Sequence, residues 1–228
     1  MLQFNWYIIT IAKKYKKDGG DKQVMDSKYY YNYQYSIAKA MQEYNLKISS
    51  KHFGLIDAHI LSLIKSFYDN NQEFHMTNSE IAKIMFVSEL TIKRSIDKLC
   101  TFGLIAKKAL GKRTFDGRSI IYCPNDFIVD SVSNGFKIYK DISDKFNNYN
   151  SNTTKDKFSL IDISIIALIA SFSDNDQFFY MLNDTMQDIL LVSQPVISKS
   201  IKLLEKYGVI TVQRPTSATR TITINSFH

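Results

Sequence analysis

Proline is nearly missing from this chain, glycine is sparse and cysteine sparser still: three, eight and two residues in 228. Proline this rare rules out a polyproline linker, and the few glycines never adopt the spacing of a phosphate-cradling loop. Cys100 and Cys123 lie in no metal-ligand spacing, which argues against a zinc site and fits reduced packing residues of a cytoplasmic protein. The four histidines, His52, His59, His75 and His228, are scattered, with no carboxylate cluster or nucleophile elbow beside them. No catalytic residue, no metal, no cofactor and no enzymatic activity are therefore expected. Long apolar runs are missing too. The apolar start, residues 1–12, lacks a basic leader and is too short to span a bilayer, so it is expected to pack on the body of the protein as a strand or short helix.

Charge is present in surplus. A net charge of +7 and a pI near 9.2 favour a polyanionic partner, and distribution sharpens the point. Residues 1–52 carry +5 and residues 53–124 carry +3, whereas 125–157 are neutral and 158–228 carry −1. The first half is the basic half.

A repeat fixes the organisation. Residues 53–105 align without a gap on residues 158–210, with 24 identities in 53 positions. Ile92, Ser95, Ile96, Leu99, Gly103 and Ile105 recur as Ile197, Ser200, Ile201, Leu204, Gly208 and Ile210. Apolar stripe, caps and helix-ending glycine are what recur, so the repeated object is a fold. Ile37, Tyr44 and Asn45 match Ile142, Tyr149 and Asn150, which gives each unit a leading helix. The expected divisions are an N-terminal segment with leading helix (1–52), a first unit (53–124), a helical linker (125–157) and a second unit (158–228). Phe136-Lys137-Ile138-Tyr139 is assigned to a packed helix of that linker. The tyrosines of Lys28-Tyr29-Tyr30-Tyr31-Asn32-Tyr33-Gln34-Tyr35 could suggest a strand-transfer nucleophile. Without metal ligands, aromatic packing of an N-terminal helix, against the first unit or a homodimer partner, is the preferred reading.

Within each unit the pattern predicts three helices and a hairpin. In unit one these are a helix over about 55–68, one over 78–86 capped by Asn78, and one over 88–101 capped by Ser88. Strands follow at Leu104–Leu110 and Ser119–Cys123, and Gly103 supplies the left-handed residue between helix and strand. Unit two has its hairpin strands at Val209–Gln213 and Thr221–Asn225. The fold class is thus mainly α with small β-hairpin wings (α+β), as two tandem winged helix-turn-helix domains. Ser88, Glu89, Thr91, Lys93, Arg94 and Lys98 fall on or beside the exposed part of the third helix, and Lys112, Arg113 and Arg118 on the wing. In unit two the equivalents are Ser193, Gln194, Ser198, Lys199 and Lys202, with Arg214 and Arg220 at the wing base. Short polar groups and cations on one exposed helix side suit a DNA major groove, and wing cations suit phosphates or a minor groove.

The run "MTNSEIAKIMFVSELTIKRSIDKLCTFGLI" resembles the winged helix-turn-helix domains of plasmid and phage replication proteins, and "LVSQPVISKSIKLLEKYGVI" is similar to the reading head of Mar-type transcription regulators. The resemblance covers about two-thirds of the chain. It implies a sequence-specific double-stranded DNA-binding protein, a transcription regulator or a replication initiator of a mobile element, with replication or transcription proteins as further partners. The two units are expected to imitate a dimer at fixed separation and to read a direct or imperfect repeat. The competing possibility is a tandem protein-interaction module of the chromosome-condensation accessory type. Charge discriminates between them: residues 88–124 carry +5 and residues 193–228 carry +4, which favours phosphate contact.

Overall fold

A computed structural model of the chain describes residues 29–47, 52–70, 72–74, 76–109, 120–124, 135–173, 179–214 and 220–225. Among these residues eight helices and three two-stranded antiparallel sheets make a mainly helical α+β fold. In chain order the first unit comprises β1 (Tyr29–Gln34), α1 (Tyr35–Asn45), α2 (Leu55–Asp69), α3 (Asn78–Met85), α4 (Glu89–Thr101), β2 (Ile105–Ala109) and β3 (Ile120–Pro124). The second comprises β4 (Gly135–Tyr139), α5 (Lys140–Asn152), α6 (Leu160–Ser173), α7 (Asn183–Leu190), α8 (Gln194–Lys206), β5 (Ile210–Gln213) and β6 (Thr221–Ile224). The apolar start of the chain lies outside the described residues.

Local chemistry explains the boundaries. Asn45 makes a two-way clamp on Phe53, Nδ2 donating to its carbonyl at 2.8 Å and Oδ1 accepting from its N–H at 2.7 Å, and Asn150 repeats this on Phe158 at 2.7 and 2.8 Å. Above each clamp sits an aromatic triangle, Tyr44–Phe53–Phe102 in one unit and Tyr149–Phe158–Tyr207 in the other. Helix α6 is apolar on nearly every side, and Ile163, Ile165, Ile166, Leu168 and Ile169 are all buried, as a central helix requires. Both α4 and α8 end at a glycine in the left-handed region, Gly103 at φ 68° and Gly208 at φ 65°.

Two segments differ from the expectation. The tyrosine run is a strand, and Phe136-Lys137-Ile138-Tyr139 belongs to β4 and not to a helix; the 125–157 stretch becomes helical only at α5. β1 and β4 pair with each other, about a hundred residues apart in sequence. Their period-two burial, Tyr31 with Tyr33 and Phe136 with Ile138, is the signature of a strand. Gly135 is required there, because a Cβ would lie 1.8 Å from the carbonyl oxygen of Tyr33.

This pairing relates the units by an internal two-fold axis. Tyr31 faces Ile138 and Tyr33 faces Phe136, which are the same pair under the repeat, so the axis passes through the Asn32–Lys137 pair. Two other contacts obey it. His59 and Ser164, equivalent positions on α2 and α6, meet at 2.9 Å. Gln42 of α1 donates to Asp188 of α7 at 2.7 Å, and its counterpart Asn147 of α5 donates to the Lys83 carbonyl of α3 at 3.4 Å. Each leading helix thus reaches the other unit, and the buried face of α1 (Ile37, Ala38, Met41) is covered within the chain.

Near the axis His59 is hydrogen-bonded through both ring nitrogens. Ser164 donates to the Leu160 carbonyl at 2.7 Å, so His59 Nε2 must donate to Ser164 while Nδ1 accepts from the Tyr31 hydroxyl at 2.6 Å. Burial lowers the His59 pKa to about 3 and raises that of Tyr31 well above its ordinary value. A phenol held neutral in this way is the opposite of an activated nucleophile.

Candidate nucleic-acid interface

In each unit two helices meet at a three-residue turn with the same backbone. Helix α3 is capped by Thr77, not by Asn78: the Thr77 hydroxyl accepts from the Glu80 N–H at 3.1 Å, and the Glu80 carboxylate accepts from the Thr77 N–H at 2.6 Å. Asn78 is the first helical residue, because threonine with glutamate three positions on forms the reciprocal cap. The turn opens with a left-handed residue, Phe86 at φ 57° and its repeat-mate Leu191 at φ 53°. Ser88 then caps α4, accepting from the Thr91 N–H at 3.2 Å; Ser193 stands at the same place before α8 without a side-chain cap bond.

Helix α4 buries Ile92, Ser95, Ile96 and Leu99 and exposes Glu89, Leu90, Lys93, Arg94 and Asp97. Helix α8 buries Ile197, Ser200, Ile201 and Leu204 and exposes Gln194, Pro195, Val196, Lys199 and Lys202. Glu89, Lys93, Arg94, Gln194, Lys199 and Lys202 therefore reach solvent, as expected, and among the described residues Lys93, Arg94 and Lys202 make no ion pair. Ser88 and Thr91 are engaged with each other at 2.8 Å. Ser198 is half-buried and accepts from Asn183 at 3.0 Å.

Two expected contact residues are held elsewhere. Lys98 turns inward, its ammonium on the buried Asp57 carboxylate and, at 3.1 Å, on the His52 carbonyl. Asp57 also accepts from Ser95, just as Asp162 accepts from Ser200 in unit two, so the carboxylate fastens each outer helix to the central one. Arg220 is likewise drawn in, donating to the Met181 carbonyl at 3.1 Å and to Asn183 Oδ1 at 2.9 Å, and it braces the β6 strand against the start of α7. Burial, helped by the neighbouring Arg214, lowers its pKa. Arg214 itself is exposed. Lys206, on the far end of α8, is paired with Asp156 at 2.6 Å. Lys112, Arg113 and Arg118 lie outside the described residues.

Beside α4 lies a groove of about 540 Å³ lined by Ile56 and Asp57 of α2, by Thr91, Arg94 and Lys98 of α4, and by Phe102 at the end of α4. Two apolar residues belong to the exposed set as well, Leu90 and Val196. The signal for both was in the sequence, since neither falls on the buried stripe of its helix. Among the described residues no three His, Cys, Asp or Glu side chains gather as metal ligands, and no helix is long and apolar enough to cross a membrane. What the two outer helices offer is cations, hydroxyls and an amide in the first two turns, ahead of an inward-facing apolar stripe. Comparison with known proteins finds no family model, no curated protein and no solved structure that matches the chain.

Proposed function

We propose that the chain is a sequence-specific double-stranded DNA-binding protein made of two tandem winged helix-turn-helix units, with α4 and α8 as reading helices and the β2–β3 and β5–β6 hairpins as wings. The observation that carries this reading is the exposed face of α4 and α8. Lys93 and Arg94 in one unit and Lys199 and Lys202 in the other are exposed on a helix that follows a tight three-residue turn. An α-helix fits the major groove, where arginine takes guanine in a two-pronged contact and lysine takes phosphate or guanine. Such a protein would act as a transcription regulator or as a replication initiator of a mobile element, by holding DNA and recruiting others without chemistry of its own.

Selection of duplexes from a random pool by the full chain, followed by titration at several salt concentrations, tests this. A preferred sequence should emerge, with affinity falling steeply with salt. Arg94→Ala should then lose ~1–3 kcal/mol on that sequence and little on random DNA, with unchanged melting of the protein. Equal losses on both would make Arg94 a phosphate contact. If no duplex is enriched, the chain is a protein-interaction module. Mapping the bound sites genome-wide separates a promoter from an array of repeats at an origin.

A further inference from the structure

We propose that Leu90 and Val196 are specificity-determining residues, each seating the C5 methyl of a thymine in the major groove. The inference rests on the DNA-binding reading of α4 and α8 and names what those helices recognise. Leu90 is 54% exposed and Val196 43% exposed. Single exposed apolar residues are ordinary on proteins, so exposure alone decides nothing.

Position decides more. Both residues lie in the first turn of their helix, Leu90 opposite the buried stripe and Val196 at its edge, one turn before the buried Ser200, and the first turn of a groove-bound helix is the part that meets base edges. Lys93 and Arg94 stand one turn beyond Leu90, and Lys199 one turn beyond Val196, all exposed. An apolar spot bordered by cations makes a poor protein dock, since the core of a protein interface is a contiguous apolar cluster depleted in charge. It matches a polyanion that presents one apolar feature, and in the major groove that feature is the thymine methyl. The two spots are not repeat-mates: Leu90 answers Pro195, and Val196 answers Thr91, so the methyl contact is displaced by one residue between the units.

The test replaces each thymine of a selected duplex, one at a time, by deoxyuridine, which lacks only the methyl. Full-length protein should bind about fourfold more weakly at one position in each half-site, the effect of one methyl removed from contact. Leu90→Ala should bind the unmodified duplex more weakly by a similar factor and be indifferent to uracil at the first position, and Val196→Ala at the second. Leu90→Met, which keeps an apolar reach, should retain the uracil penalty. Both alanine variants should melt at the wild-type temperature, because each side chain is exposed. Wild-type protein that discriminates its site from random DNA but ignores every uracil overturns the inference while leaving the DNA-binding reading intact. Leu90→Ala that keeps the full uracil penalty overturns the assignment of Leu90. Enrichment of no duplex removes the DNA-binding reading and this inference together.

Discussion

Arg94 and Lys98 stand one helical turn apart on α4 with the same charge, yet only Arg94 is open to a partner. The reason Lys98 turns inward is visible in the other unit. Asp162 Oδ2 accepts from both the Ser159 N–H at 2.7 Å and the Ser159 hydroxyl at 2.6 Å. In unit one Gly54 replaces that serine, and its N–H alone reaches Asp57 Oδ2, at 2.9 Å; the Lys98 ammonium supplies the missing donor. Serine with Leu203 in one unit and glycine with Lys98 in the other are thus two ways to satisfy the same buried carboxylate. Lys98→Leu should cost about 1–2 kcal/mol, less than a fully buried broken pair because Lys98 is partly exposed. Gly54→Ser should restore most of it, since a Cβ at Gly54 meets nothing within 4 Å. Chemical denaturation of the two single variants and the double variant checks this. Additive effects, with no rescue, would mean the two residues act on Asp57 independently.

At the scale of elements, what sequence reading finds and what it misses divides by distance along the chain. Helices α2, α3, α4, α7 and α8 and both hairpins are legible because their apolar stripes and turn signals lie close together in sequence, with a terminating glycine after α4 and α8. The shift of the α3 cap from Asn78 to Thr77 is a one-residue choice between neighbouring capping residues. β1 and β4 are not legible as a pair, because their ladder joins residues about a hundred positions apart, and β1 hides its alternation in a run of five tyrosines among seven residues (29–35). Lys98 and Arg220 mislead for a similar reason: their partners Asp57 and Asn183 lie 41 and 37 residues away. The central ribbon can be tested through Gly135. A methyl group there meets the Tyr33 backbone at 1.8 Å, so β4 must move away from β1, and Tyr33 stacks on Phe136 at 4.7 Å across that ladder. Gly135→Ala should therefore destabilise the protein by about 1–3 kcal/mol, the usual range for overpacking. Thermal melting reads this directly, and an unchanged midpoint would show that the ribbon adds little to stability.

For the whole molecule, the symmetry of the described contacts bears on what a DNA site should look like. The ladder through Asn32–Lys137, the His59–Ser164 contact and the reciprocal Gln42–Asp188 and Asn147–Lys83 contacts all relate the two units by one two-fold axis. On the proposed DNA-binding reading, α4 and α8 related in this way would approach a duplex in opposite senses, which favours an inverted over a direct arrangement of half-sites. Glu89-Leu90-Thr91 differs from Gln194-Pro195-Val196, so the inverted repeat should be imperfect. Contacts at the axis are buried and numerous, and they hold the units in one relation. Inserting five base pairs between the half-sites rotates one by about half a turn, at ~10–10.5 bp per turn, and should remove most of the specific affinity. Reversing one half-site in place should do the same, because every base that half of the protein reads is then wrong and each mismatch costs ~1–3 kcal/mol. Titration of the full chain against the parent, inserted and reversed duplexes distinguishes the possibilities. Tolerance of the five-pair insertion would mean that the units bind independently, and preference for the reversed duplex would mean that the axis of the protein is not the axis of its site.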